Sequence, residues 1–379
     1  MIQIDPKVLV DRLVEDVHIE EFCGVSDSTL KYLINEVSNR GMYTPFTNEG
    51  DAVAYAAGRT VAGHPTAVLM QNSGLTNASS PISSLVELYH IPMIFIVGWR
   101  GYQEGGSPFK DEPQHEIVGK NTYQFIDSMT DSRVFWDLTL LPDQSRLHFN
   151  FDHHCSYFVM VRPGMLTPVK LNEEVYTPYT LPRTLCIYNL LNLIKDKEVS
   201  IVSTTGHTSR ELMTYGEENP KNFYMFGSMG CATPFAYGLA KSRPDRKFII
   251  LDGDGAFLMR PESKAVCSDM NLDNVLHIIF KNGSHLSTGN QTLPCMNDFV
   301  NIVLGCSSSD EVKVIDDITD FIWAVNRWLK SPSNQEPSTL IVNVSSEIVP
   351  DLPRPKSTPE EILERFVKEL GDPDGSSSK

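Results

Sequence analysis

Phe248-Ile249-Ile250-Leu251-Asp252-Gly253-Asp254-Gly255, followed by Val275-Leu276-His277-Ile278-Ile279-Phe280-Lys281-Asn282-Gly283-Ser284, is the stretch that decides the fold. Each half starts as an apolar run of strand length and ends in a loop rich in oxygen donors and glycine. Residues 262–270 between them read as a helix. A strand, a crossover helix and a parallel strand bring both loops to one carboxyl edge of a sheet. Open α/β sheets bind their ligands at that edge. Asp254, the side-chain oxygen of Asn282 and a backbone carbonyl near Ser284 are donors suited to Mg²⁺. That ion prefers octahedral oxygen at roughly 2.0–2.1 Å and takes its remaining ligands from phosphate and water. Two tight turns would use the same residues. The 28 positions from Asp254 to Asn282, which fit one βαβ unit, favour the metal loop.

Working outward, the same alternation of short apolar runs and helix-length segments recurs on both sides of a proline-rich stretch. Ala67-Val68-Leu69-Met70 and Met93-Ile94-Phe95-Ile96-Val97 are buried-strand candidates in the first half. In the second half, Val199-Ser200-Ile201-Val202 and Leu340-Ile341-Val342, continued by Val344, join the two runs already quoted. The pattern predicts two parallel-sheet α/β domains with no middle domain. We place the first at residues 1–168, a linker carrying Pro178 and Pro182 at 169–184, and the second at 185–370. Residues 371–379 have the composition of a disordered tail.

Composition narrows the function classes. The 379 residues suffice for two ordinary cores. A net charge of −16 disfavours nucleic acid and anionic membranes as partners. It also means that an anionic substrate needs a local positive cluster, for which Arg100, Lys110 and His115 are candidates. No apolar run reaches membrane-spanning length. The first residues lack the pattern of a secretory signal. Seven scattered cysteines without CxxC argue against a disulfide framework or a zinc site, so a reducing cytoplasm is expected. Neither HExxH, GxSxG nor a Walker loop occurs, and His153-His154 lacks nearby residues to complete a metal site.

Several loops complete the picture. Asn48 reads as the N-cap of a helix that begins with Glu49, a position the helix dipole alone would favour for an acid. Ser73-Gly74 follows the strand ending at Met70-Gln71-Asn72, where glycine lets backbone approach a ligand. Thr204-Thr205-Gly206-His207 precedes a helix expected to begin near Arg210 and suits a phosphate at its N-terminus. Phe226-Gly227-Ser228-Met229-Gly230 repeats that arrangement one strand on. The glycine-rich loop from Gly98 to His115 has the length of a lid or binding loop, and His115 titrates in the range of a proton carrier.

Asn48-Glu49-Gly50-Asp51-Ala52-Val53-Ala54-Tyr55-Ala56-Ala57-Gly58 resembles the Asn-Glu helix of thiamine diphosphate-dependent decarboxylases. The Gly253-Asp254-Gly255 and Asn282 pattern resembles that family's cofactor motif, with Lys281 standing where its closing Asn-Asn pair begins. Gly98-Trp99-Arg100-Gly101, Lys110-Asp111-Glu112-Pro113-Gln114-His115, Gln71-Asn72-Ser73-Gly74 and Lys281-Asn282-Gly283-Ser284-His285-Leu286-Ser287-Thr288-Gly289 are similar to the phosphonopyruvate decarboxylase branch. The likeness runs over roughly residues 7 to 345. Ser26 stands where that branch usually carries proline.

The resemblance implies decarboxylation of 3-phosphonopyruvate to phosphonoacetaldehyde and CO₂ in phosphonate biosynthesis, with thiamine diphosphate and Mg²⁺ as cofactors. It casts Glu49 as the partner of the cofactor aminopyrimidine and Met229 as the wedge that bends the cofactor. Asp254, Asn282 and Ser284 become the metal ligands. Asn72, Ser73, Gly74, Thr205, Gly206, His207, Ser228, Gly253, Gly255, Ala256, His285 and Leu286 become further cofactor contacts. Asp27 and His115 are cast as proton carriers that also meet the substrate, together with Arg100 and Lys110. A homo-oligomer, dimer or higher, is implied, with each site shared between the first domain of one chain and the second domain of another. Sulfopyruvate decarboxylation, another 2-oxo acid, and a non-catalytic subunit of the same fold are the competing readings.

Overall fold

The computed structural model describes residues 3–104, 107–108, 111–131, 133–137, 155–172, 177–216, 219–307, 312–330, 338–347, 349, 352–353 and 357–371. The expectations for Lys110, for His153-His154 and for the tail from residue 372 onward lie outside these residues. The chain divides into two compact units. One comprises Met1–Val175 with His285–Pro294; the other comprises Tyr176–Ser284 with Cys295–Lys379.

In the first unit the strands are β1 (Glu21–Gly24), β2 (Tyr43–Pro45), β3 (Thr66–Gln71), β4 (Met93–Gly98), the short antiparallel pair β5 (Gln103–Glu104) and β6 (Ser107–Pro108), β7 (Arg133–Asp137) and β8 (Ser156–Val161). Six of them form one parallel sheet in the order β2-β1-β3-β4-β8-β7. Every residue of β4 and of β8 is buried. That is why these strands read as unbroken apolar runs rather than alternating ones: helices cover both faces of a parallel sheet. Leu69, Ile94, Ile96 and Val159 pack into one core. Val68, Met70, Phe95, Val97 and Phe158 pack into the core on the other side.

The second unit repeats the plan. Its strands are β9 (Val199–Ser203), β10 (Asn222–Tyr224), β11 (Lys247–Gly253), β12 (Val275–Lys281), the short pair β13 (Ser284–His285) and β14 (Gln291–Thr292), β15 (Val312–Ile315) and β16 (Thr339–Asn343). The main sheet runs β10-β9-β11-β12-β16-β15, again all parallel. Counted in chain order within each sheet, both units therefore follow the sequence 2-1-3-4-6-5.

That shared order fixes where a ligand can sit. The chain leaves the first strand toward one edge and returns to place the third strand on its other side. The connections therefore diverge between β1 and β3, and between β9 and β11, opening a crevice at the carboxyl ends. Residues 25–27 and 72–74 follow β1 and β3; residues 204–207 and 254–256 follow β9 and β11. The helix expected from Arg210 already begins at His207, because Gly206 adopts φ +86° and completes the turn one residue earlier.

Phe95 is fully buried and stacks on Phe158 with centroids 4.8 Å apart. Phe95→Ala is expected to cost about 3–5 kcal/mol, read as a lowered urea midpoint for the transition of the first unit. An unchanged midpoint would place the core of that unit elsewhere.

Candidate active site

Glu49 opens the Glu49–Val61 helix, and the Asn48 side chain caps it by accepting from the Gly50 N–H at 2.8 Å. Although charged, Glu49 is only 6% exposed. Its Oε2 accepts from Asn77 Nδ2 at 2.9 Å. A Cβ on Gly74 would stand 2.6 Å from Glu49 Oε1 and 2.7 Å from its Cγ. Gly74 is thus the floor on which the carboxyl group lies, and a larger residue there would displace it. Gly74 and Asn77 both sit in the Ser73-Gly74-Leu75-Thr76-Asn77 stretch after β3, so one turn of chain seats the acid and hydrogen-bonds it.

Asp27 follows β1 and is 1% exposed. Its Oδ2 accepts from the backbone N–H groups of Thr29 at 3.1 Å and Leu30 at 3.0 Å. Oδ1 is buried and finds no hydrogen-bond partner among the described residues. A Cβ at Gly98, the last residue of β4, would fall 2.1 Å from Oδ2. Burial pushes the carboxyl up to about 6, against the pull of the two N–H groups and of Arg100. A buried oxygen without a partner is costly and marks where a ligand completes the site.

Arg100, one residue past Trp99 at the end of β4, is already committed. Its Nε donates to Asp111 Oδ2 at 2.8 Å, its Nη2 to Asp111 Oδ1 at 2.5 Å and its Nη1 to Ser28 Oγ at 3.0 Å. Burial opposes ionisation of Asp111, but Arg100 and the N–H groups of Glu112 and Gly101 outweigh it and hold the carboxyl well below the usual range. The bidentate edge expected for a substrate anion is therefore spent on Asp111. Two of the five guanidinium N–H groups, one on each Nη, are not used in these bonds. Asn72 is likewise turned inward: its side chain donates to the Arg100 carbonyl and to Thr122 Oγ1 and accepts from the Arg100 N–H. Expected as a cofactor contact, it serves with its side chain to fix the backbone of the Arg100 loop.

His115 is buried in the first turn of the Pro113–Lys120 helix. Gly101, at φ +66°, lies directly against it: a Cβ there would meet the His115 carbonyl oxygen at 2.1 Å. The first unit thus brings Glu49, Asp27, Arg100 and His115 to loops at the carboxyl ends of its strands or to helix starts just beyond them.

In the second unit, Asp254 (3% exposed) and Asn282 lie at the ends of β11 and β12, whose final registered pair is Gly253 with Phe280. Asp254 Oδ2 accepts from the N–H groups of Asn282 at 2.9 Å and Gly283 at 2.7 Å, and Oδ1 from that of Gly255 at 2.8 Å. The two loops are thereby locked together through one carboxylate. Asn282 Oδ1 accepts from the Ser284 N–H at 3.3 Å. Burial drives the Asp254 carboxyl up to about 6 despite its three N–H donors, the behaviour of a carboxylate whose counter-charge is a ligand. A Cβ on Gly253 would meet nothing within 4 Å, so the face of the loop is clear. One carboxylate, one amide oxygen and backbone carbonyls form a hard-oxygen set that fits Mg²⁺, provided phosphate and water complete the octahedron.

The neighbouring loops fit the anion that such a metal would neutralise. Thr205 Oγ1 donates to the Phe226 carbonyl at 2.7 Å, tying the loop after β9 to the one after β10. Thr204 Oγ1 is buried without a partner among the described residues. Gly206 turns the chain so that the His207–Gly216 helix points its N-terminus at the crevice edge. Burial, and then Arg183, lower the His207 imidazole and keep it neutral. Met229 is half-buried between Ser228 at φ +53° and Gly230 at φ +83°. His285 and Leu286, expected beside Ser284, group with the first unit.

Sequence reasoning gave no role to four contributors. Asn77 was legible only as one more polar residue in a loop, and Gly98 only as the end of a strand. Asp252 and His277 form a fully buried pair behind the metal loop, with Nε2 to Oδ2 at 3.4 Å; the signal was a histidine inside an otherwise apolar strand.

Comparison with known proteins agrees with this geometry. The thiamine pyrophosphate enzyme N-terminal TPP binding domain matches residues 6–125, and the corresponding C-terminal TPP binding domain matches residues 204–311. A phosphonopyruvate decarboxylase of Streptomyces viridochromogenes is 32% identical over 371 residues, covering 90% of this chain and 89% of that protein. One from Streptomyces hygroscopicus is 33% identical, covering 90% and 88%. A sulfopyruvate decarboxylase of Methanosarcina acetivorans is 24% identical, covering 98% and 99%. With both cofactor-binding domains matched and relatives of this identity aligned over nearly the whole length, the chain belongs to the thiamine pyrophosphate-dependent decarboxylase family.

Proposed function

We propose that this chain decarboxylates 3-phosphonopyruvate to phosphonoacetaldehyde and CO₂, using thiamine diphosphate and Mg²⁺. The observation that carries the reading is the 32–33% identity to phosphonopyruvate decarboxylases across nine-tenths of the chain. Bound thiamine diphosphate supplies the nucleophilic carbon and the electron sink for the departing carboxylate. The protein supplies position, protons and charge. Glu49, seated on Gly74 and held by Asn77, presents its carboxyl to the aminopyrimidine and shares a proton with it. Asp254, Asn282 and the Ser284 carbonyl would hold Mg²⁺, residues 204–207 would receive the diphosphate, and Met229 would pack against the cofactor.

Asp27 then has a defined task. Because Oδ2 accepts two N–H groups, the proton resides on Oδ1, the atom left without a protein partner. Such an acid can protonate the carbon from which CO₂ has left, with His115 as a second carrier; positioned proton transfer contributes about 10²- to 10⁴-fold. The two N–H groups left on Arg100 meet the phosphonate. Removing Arg100 also leaves the half-buried Asp111 carboxylate with only the N–H groups of Gly101 and Glu112, a destabilising change in its own right. Arg100→Ala therefore reports on folding as well as on substrate.

The direct test is CO₂ release from phosphonopyruvate, sulfopyruvate and pyruvate measured side by side with saturating cofactor. Phosphonopyruvate is expected to give the highest kcat/KM by at least tenfold; a preference for sulfopyruvate would move the chain to the neighbouring activity, whose relative is aligned over 98% of this chain.

The raised Asp27 value fixes the sign of a pH effect. The protonated form persists up to about pH 6, and above that its fraction falls tenfold per unit. Turnover is expected to decline along that limb, and Asp27→Asn to abolish the limb while lowering kcat. A limb that survives in Asp27→Asn removes Asp27 from the role of acid.

We further infer that the working enzyme is a homo-oligomer in which Glu49 of one chain serves the metal loop of another. Glu49→Gln and Asp254→Asn are each expected to be inactive, and co-refolding them in equal amounts to restore roughly a quarter of wild-type activity, as statistics predict for a two-fold pair with one intact site per mixed dimer. No recovery on mixing would put both residues in a site within one chain.

A further inference from the structure

We propose that Ser26 is a positioning residue for Asp27, held by a one-directional hydrogen-bond chain that runs through the His285–Pro294 segment of the same unit. Ser26 Oγ lies 2.7 Å from Gln291 Oε1 and 2.5 Å from Thr288 Oγ1. A serine hydroxyl has one proton, and an amide oxygen only accepts. Ser26 therefore donates to Gln291, and Thr288 must donate to Ser26. Gln291 Nε2 passes the polarity on to Asn35 Oδ1 at 3.1 Å, and Asn35 Nδ2 donates to the Val169 carbonyl at 2.9 Å. The Thr288 proton is shared with a second acceptor, the His285 carbonyl at 3.3 Å. From Ser26 through Gln291 to Asn35 each member has one defined role, and that part of the chain resists rotation of any link.

The packing around this chain specifies it further. Gln291 and Asn35 are both buried. Gly289, at φ +137°, lies under the Gln291 amide: a Cβ there would stand 2.4 Å from Nε2. The Asn290 N–H returns to the His285 carbonyl at 2.9 Å, closing the loop that presents Thr288 and Gln291. The segment's contacts thus converge on the loop after β1 at the residue before Asp27. Asp27's own turn fixes Oδ2 through residues 29 and 30, on its C-terminal side. Ser26 fixes the chain on its N-terminal side. The two anchors together set the direction of the carboxyl group whose Oδ1 has no protein partner.

This inference rests on the proposed role of Asp27 as proton donor, and a double-mutant cycle separates the two. Ser26→Ala is expected to lower kcat for phosphonopyruvate by about 10- to 100-fold, with thiamine diphosphate affinity, followed by intrinsic fluorescence, changed less than twofold. Ser26→Thr, which keeps the hydroxyl, is expected to restore most of the activity. In an Asp27→Asn background, Ser26→Ala is expected to cost nothing further, because a residue that acts only through Asp27 has no effect once the acid is gone. If Ser26→Ala multiplies the loss in that background, the positioning role is wrong and Asp27 stands. If Asp27→Asn alone leaves kcat unchanged, the role of Asp27 falls and this inference falls with it. Should Ser26→Ala fail to fold, Thr288→Val, which removes a single donor from a half-buried position at the start of the chain, takes its place in the same cycle.

Discussion

Three carboxylates, Glu49 and Asp27 in the first unit and Asp254 in the second, are held out of water at the carboxyl ends of parallel sheets, and the cost of burying them governs the chemistry each unit can offer. A buried acid must receive a proton, a cation or N–H donors. Each of the three receives a different mixture. Glu49 has the Asn77 amide; Asp27 has two N–H groups on one oxygen and, among the described residues, nothing on the other; Asp254 has three N–H groups and a clear face in front of its loop. Glycine makes the first two possible, since Gly74 and Gly98 are the surfaces against which those carboxyl groups lie and no Cβ fits at either.

The fold was largely legible because a doubly covered parallel sheet writes itself as unbroken apolar runs. The expected runs at 67–70, 93–97, 199–202, 248–251 and 275–280 all lie within strands of the two sheets. Several strands that escaped notice were short or mixed in composition: β2 and β10 have three residues each, and β1 carries a glutamate. Such strands are set by pairing with a neighbour rather than by their own pattern. In contrast β8, a buried six-residue run, largely apolar, was overlooked although its pattern was as plain as that of β4. Of the candidate site, the meeting of the Asp254 and Asn282 loops was legible through spacing and the helix start at Glu49 through its cap, both local signals.

What stayed hidden depends on contacts between distant residues. Nothing near Arg100 in sequence says that Asp111, eleven positions on, takes the edge expected to grip the substrate. Nothing near Asn72 says that its amide clamps the backbone of residue 100. The His285–Pro294 segment follows the metal loop in sequence but finds its partners, Ser26 and Asn35, more than 250 positions earlier. Turn residues such as Gly289 and Asn290 announced a loop there without saying what it meets.

The repeated strand order leads to a division of labour that electrostatics requires. Both units offer the same crevice, yet under the proposed function one carries the carboxyls that handle protons and the other the oxygen donors for a divalent cation. A bound cation is the largest local charge in any site and inverts the acidity of groups beside it. Asp254 illustrates this: a neighbouring Mg²⁺ would favour its ionised form at any pH near neutrality, cancelling the effect of burial. The same ion beside Asp27 would strip the proton that burial retains to about pH 6 and leave a carboxylate facing an anionic substrate. An acid that must stay protonated and a metal that must grip a diphosphate thus call for different local fields. Two copies of one topology, each with its own switch-point crevice, supply them.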